Sequence, residues 1–189
     1  MTSIKLDPND WTISPPQPGI KGGKTCLISH KNKPIEINLG LGAPLSTPFG
    51  ASNFEEDEKV TRVNLDLTVP SETADLFKDL DEWLIQYGIQ NKEILFKSKT
   101  DQQIRDNYRT LIRQKDSHPP LLRTKVDLAK VRVWDAQHAP TIVPETKFKY
   151  GDIFPKIVVR TLWVVNQTWG LTLECTDLKF IPNQIDCPF

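Results

Sequence analysis

The sequence predicts a mostly-β, α+β domain. Three observations predict it: an alternating strand pattern runs straight into an amphipathic helix, a Pro-rich break then opens a long run of strand patterns, and no βαβ alternation occurs. At 189 residues the chain is long enough to bury a core without disulfides or metals.

Taken in order, residues 1–23 are rich in Pro, Gly and polar side chains and read as an arm with little regular structure. Short apolar runs at 25–29 and 34–39 flank a hairpin turn at 30–33. Residues 40–53, again rich in Gly, Pro and Ser, read as a loop. Over 59–69 the chain alternates. Val63, Leu65, Leu67 and Val69 share one face, and Arg62, Asn64, Asp66 and Thr68 share the other, as in a half-buried strand.

Pro70 ends that strand. Ser71 offers an N-cap, Glu72 and Asp75 suit a helix N-terminus, and Leu76, Phe77, Leu80, Trp83, Leu84 and Tyr87 recur at helical spacing. The helix is expected over 72–87, stopped near Gly88. A second, shorter helix is expected over 101–114, with Ile104, Tyr108, Leu111 and Ile112 as its stripe and Arg105, Arg109 and Arg113 recurring beside it. The His118-Pro119-Pro120 break ends it. Strands are expected at 121–128, 131–135, 146–150, 156–165 and 169–180, with a hairpin loop at 166–168. The expected organisation is an arm (1–23), one domain (24–182) and a short tail (183–189).

Charge is balanced in sum, 24 basic against 24 acidic residues, but not in layout. Residues 97–132 hold ten basic and four acidic side chains, a positive block between acidic and near-neutral flanks. The three cysteines, Cys26, Cys175 and Cys187, have long spacings and no CxxC, which argues against a disulfide framework or a zinc ribbon and for reduced thiols in a cytoplasmic or nuclear setting. No apolar run has the length of a membrane span.

The sequence carries no phosphate-binding GxxxxGK[ST] loop, no GxGxxG after a strand, no GxSxG and no HExxH. His30, His118 and His138 have no partners at metal-ligand spacing. No catalytic residue, metal or cofactor is therefore assigned. The acidic cluster Asp79-Leu80-Asp81-Glu82 reads as a solvated helix face.

The constellation that does carry chemistry is basic and aromatic. In 131–135, Val131 and Val133 point one way and Arg132 and Trp134 the other. Arg123 and Lys125 share a strand face, as do Lys147 and Lys149, and Lys156 and Arg160. With Arg105, Arg109, Arg113 and Lys130, these are the expected nucleic-acid contacts. Cations follow phosphates and release counterions, and flat rings stack on unpaired bases, whereas a duplex hides its base faces. Trp134 can equally be core. Trp83, Tyr87 and Tyr108 read as core, and Trp163 and Trp169 are assigned to packing ahead of stacking.

The order of elements from 64 to 181 resembles the single-stranded DNA-binding proteins of tailed phages and large DNA viruses. The resemblance rests on Leu67-Thr68-Val69-Pro70 before a long helix, Val133-Trp134-Asp135 after a basic stretch, the Gly151-Asp152 turn, the strand at 156–165, Trp169-Gly170 and the final strand. It covers about two thirds of the chain. It implies an OB-fold-like antiparallel barrel with a packed helix. It also implies non-enzymatic, sequence-tolerant coating of single-stranded DNA in replication, recombination or repair, with a groove lined from 123–134 and 147–156. The family usually ends in a long acidic tail closing in an aromatic residue. Here Ile185-Asp186-Cys187-Pro188-Phe189 carries one acidic residue, and Phe189 is the expected contact for replication proteins.

RNA is an alternative ligand, because OB-folds bind both. Two other readings stand beside this one. A structural, virion or adaptor barrel would use the Pro-rich arm to strap a neighbouring copy. A metal-dependent enzyme acting on nucleic acid would use Asp135 and Asp152.

Overall fold

Within the alternating segment, Arg62–Thr68 form a strand whose apolar residues, Val63, Leu65 and Leu67, are at most 4% exposed. The computed structural model describes residues 6–19, 22–52 and 60–183. In chain order, a 3-10 turn (Pro8–Asp10) precedes β1 (Trp11–Ile13), β2 (Gln17–Pro18), β3 (Lys24–His30), β4 (Ile35–Asn38), β5 (Ala51–Ser52) and β6 (Arg62–Thr68). Helices α1 (Ser71–Gln90), α2 (Lys92–Leu95) and α3 (Asp101–Asp106) follow, then β7 (Tyr108–Arg109), β8 (Ile112–Arg113), β9 (Leu121–Asp127), β10 (Arg132–Trp134) and β11 (Pro140–Thr141). Two long strands, β12 (Gly151–Val165) and β13 (Thr168–Pro182), complete the described chain.

Five segments close a ring. β6 pairs antiparallel with β9, β9 runs parallel to β13, and β13 pairs antiparallel with β12. Residues 45 and 46 close the circuit: Leu45 bridges Ile153 of β12 through reciprocal hydrogen bonds of 2.9 and 2.8 Å, and the Ser46 carbonyl accepts from the Thr68 amide. This is the five-stranded Greek-key plan of an OB-like barrel. Its interior holds Leu65, Leu67, Leu122, Val126, Ile153, Ile157, Leu173 and Leu178. Outside the ring, β3 and β4 extend β12, joined by a hairpin whose Lys31 and Asn32 take positive φ.

Several expectations are corrected. The stretch 40–53 is not only a loop, since it supplies the closing bridge and β5. Within the supposed arm, β1 and β2 both pair with β3, so residues 11–18 lie along the sheet edge. α1 continues through Gly88 to Gln90, and that glycine leaves room for the Trp169 indole: an added Cβ would lie 2.6 Å from the ring. Pro70, not Ser71, is the N-cap, and no side chain caps that end.

The second helix stops at Asp106. Thr100 starts it with a capping box, but Asn107 ends it, and the chain beyond forms the short strands β7 and β8. Their backbone is taken by tertiary partners: β7 runs parallel to β13, β8 pairs with β9, and the buried Asp81 carboxylate accepts the Leu111 amide at 2.9 Å and the Tyr108 hydroxyl at 2.7 Å. These bonds outweigh a modest helix propensity. The strand expected at 146–150 is a turn, with Lys147, Phe148 and Tyr150 at positive φ. Phe148 is fully buried against Phe180, and this fixes the turn.

Candidate nucleic-acid interface

β6 and β9 each turn one face to the core, so their other faces lie side by side outside the barrel. Register sets Asn64 opposite Lys125 and Asp66 opposite Arg123. Arg109 and Arg113 reach the same surface from the 107–113 segment. That segment is held down by Asp81 from below and by β9 and β13 at its sides.

The surface is concave. Three adjoining hollows of about 1070, 410 and 670 Å³ share Asn64 and Thr110, then Trp163 and Thr172, and so form one trough. It crosses from β6 and β9 over β13 to β12 and β3. Seven cations line it: Arg62, Arg109, Arg113, Lys115, Arg123, Lys125 and Arg160. Two carboxylates accompany them. Glu174 lies 3.3 Å from both Arg62 and Arg160, and Asp66 lies 3.7 Å from Arg113. Phe49, 54% exposed, stands at one end, and the half-buried Trp163 stands where the second and third hollows meet.

The cations crowd one another. Burial lowers the Arg123 guanidinium below its ordinary value, Arg113 and Arg109 lower it further, and Asp66 opposes them. Lys125 is lowered by burial and then by Arg62 and Arg123, again opposed by Asp66. Burial raises the Asp66 carboxyl, against the pull of Arg113, Arg123 and Lys125. A site in which like charges are held together by the fold attracts an anion without further reorganisation.

Seven of the residues expected from sequence therefore lie apart from this trough or beyond its walls, and one lies outside the described residues. Arg105 makes a bidentate pair with Glu82 of α1, at 2.7 and 3.0 Å, and that pairing holds the Glu82 carboxyl down at about 2. Lys130 pairs with Asp127, Arg132 with Asp177 and Lys156 with Glu36. Lys147 and Lys149 stand in the turn against Gly50. Arg109, Arg113, Arg123, Lys125 and Arg160 are brought together. Trp134 is half-buried on the outer face of β10, while Val133 enters the core at 3% exposure. Phe189 lies outside the described residues.

Sequence reasoning missed Arg62, Lys115, Phe49 and Trp163 as trough residues. Trp163 escaped because strict alternation sets it on the face opposite Lys156 and Arg160. The ladder between β12 and β13 shifts register between Val159 and Thr161, so Arg160 is an extra residue and Trp163 comes round to the outer face. Trp169 is core: its indole N–H donates to the Ile104 carbonyl at 2.7 Å. Of the two aspartates considered for metal-dependent catalysis, Asp135 closes a local turn by accepting the amides of Gln137 and Ala139, and Asp152 sits on β12. Among the described residues, no three His, Cys, Asp or Glu side chains converge as metal ligands, and no helix is long and apolar enough to cross a membrane.

No protein-family model and no curated protein matches the chain. Among solved structures it is similar to the single-stranded DNA-binding protein of bacteriophage Enc34 in complex with ssDNA, at 14% identity and a TM-score of 0.47, over 89% of this chain and 94% of that one. It is also similar to a C-terminal truncation of the Enc34 protein, at 11% identity and a TM-score of 0.48 over 91% and 96%. A third is gp2.5, a single-stranded DNA-binding protein encoded by bacteriophage T7, at 12% identity and a TM-score of 0.47 over 79% and 87%.

Proposed function

We propose that this protein binds single-stranded DNA without strong sequence preference, as a non-enzymatic protein of replication, recombination or repair. The observation that carries this reading is the trough: seven cations against two carboxylates, with Trp163 at the middle. The cations suit a phosphate backbone. Trp163 and Phe49 offer π-faces that a splayed base can stack on and a duplex cannot reach. RNA is a ligand of the same chemistry, because OB-folds bind both.

Titration with oligo-dT and with a duplex of equal length, over a range of salt concentrations, tests the reading. The expected outcome is preferential binding of the single strand. The slope of log K against log salt should lie between about −3 and −5, set by five to seven phosphate contacts. Absence of binding at low salt, or equal affinity for the duplex, would overturn the reading.

A further inference from the structure

We propose a second base-stacking station on the outer face of the barrel, formed by Trp134, Lys179 and Phe154 and occupied by an unpaired base of the same strand that lies in the trough. The inference rests on the proposed single-strand binding and extends it beyond the hollows already described.

The station is built by register across three strands. Trp134 of β10 stands beside Lys179 of β13, and Lys179 stands beside Phe154 of β12. All three side chains are half-buried and lie on the face turned away from the core, while their chain neighbours Val133, Leu178 and Ile153 are buried. The Lys179 ammonium lies 5.5 Å from the centre of the Phe154 ring. Its hydrogen-bonding neighbour is His138 Nε2, at 3.1 Å, and among the described residues no carboxylate is within ion-pair reach of it. The result is an indole and a phenyl ring on either side of a cation not neutralised by an acid.

Continuity with the trough selects the occupant. β13 runs from Thr172 and Glu174, in the trough wall, to Lys179 along one outer face. Between them lies the Asp177 row, where Arg132 is bidentate to Asp177 at 2.7 and 2.9 Å and Lys156 is tied to Glu36. These four groups cancel in charge, so the intervening stretch neither holds nor repels a phosphate chain. A strand long enough to cross it meets a cation for its phosphate and two rings for its base. The pattern fits a nucleic acid better than an apolar peptide, which would leave the Lys179 ammonium without an anion.

The experiment is a length series of oligo-dT, from about 4 to about 16 nucleotides, within the range one OB-like barrel covers. It compares wild type with Trp134→Ala, Phe154→Ala and Lys179→Gln. Lys179→Gln keeps both rings and guards against loss of fold, which circular dichroism checks for all three. The expected result is that each variant matches wild type on the shortest oligonucleotides that bind. On the longest, each aromatic variant should weaken binding by about tenfold or more, and Lys179→Gln by a smaller factor. Loss by one constant factor at every length, or no loss at the longest, overturns the second station while leaving trough binding intact. If wild type binds no oligonucleotide at any length, the proposed function fails as well, which is a separate result.

Discussion

Arg105 and the pair Arg109 and Arg113 are spaced alike in sequence and fare differently in the fold. Arg105 sits in the last turn of α3 and closes a two-pronged ion pair with Glu82 of α1, on the helical side of the molecule. Arg109 and Arg113 lie beyond the helix end, on extended chain that β9 and β13 hold against the barrel, and they face Arg123 in the trough. A cation serves a ligand when the fold leaves its charge incompletely answered. Arg105 is answered by a carboxylate of its own. The trough holds seven cations to two acids, and its members depress one another.

Breaking the crowded side should have the largest effect. The double substitution Arg123→Ala with Lys125→Ala removes the two half-buried cations at the centre. It should weaken oligo-dT binding by about 3 kcal/mol or more and flatten the salt slope by about 1.4 units. Trp163→Ala should cost about 1–3 kcal/mol, the stacking of one base, and leave the salt slope unchanged. Fluorescence titrations over salt read both. Arg105→Ala, by contrast, should change neither affinity nor slope, since its guanidinium is committed to Glu82.

The comparison can also be sharpened in the opposite direction. Asp66 is an internal anion among Arg113, Arg123 and Lys125. Asp66→Asn should tighten DNA binding and steepen the salt slope by up to about one unit, a gain that damage to the fold would not mimic. Unchanged or weaker binding would show that Asp66 orders the arginines more than it competes with phosphate.

The smallest expected effect concerns the anchor under the arginines. Burial raises Asp81 to about 6, opposed by its bonds to Tyr108 and the Leu111 and Ile112 amides. A carboxyl raised above its unfolded value takes up a proton in the folded state first. Its contribution to stability is therefore complete below the unfolded value and is lost as pH rises through about 6. Between pH 7 and pH 5 this group alone should raise stability by about 1 kcal/mol, and Asp81→Asn should remove that part of the pH dependence. Urea unfolding at the two pH values, in wild type and variant, measures it.

The sequence made the barrel's inner faces legible because period-two alternation reports burial directly, as at Val63, Leu65 and Leu67. It also located Arg123 and Lys125, whose strand keeps strict alternation throughout. It misread the course of 107–113, where hydrogen bonds to Asp81 and pairing with two strands override local helix preference. It misassigned Trp163 because a single extra residue at Arg160 changes which face follows. Arg62 shows in the sequence only as an outward-facing strand residue, and the pairing of β6 with β9 sets it beside the trough; Phe49 carries no local signal, and only the fold brings it beside the 112–115 segment.

Photocrosslinking of a halogenated oligo-dU, followed by identification of the attached peptide, tests where the strand lies. The account predicts attachment at Trp163 or Phe49. Attachment confined to the hollow between Trp11 and the hairpin of β3 and β4, on residues such as Trp11, His30 and Ile35, would contradict it.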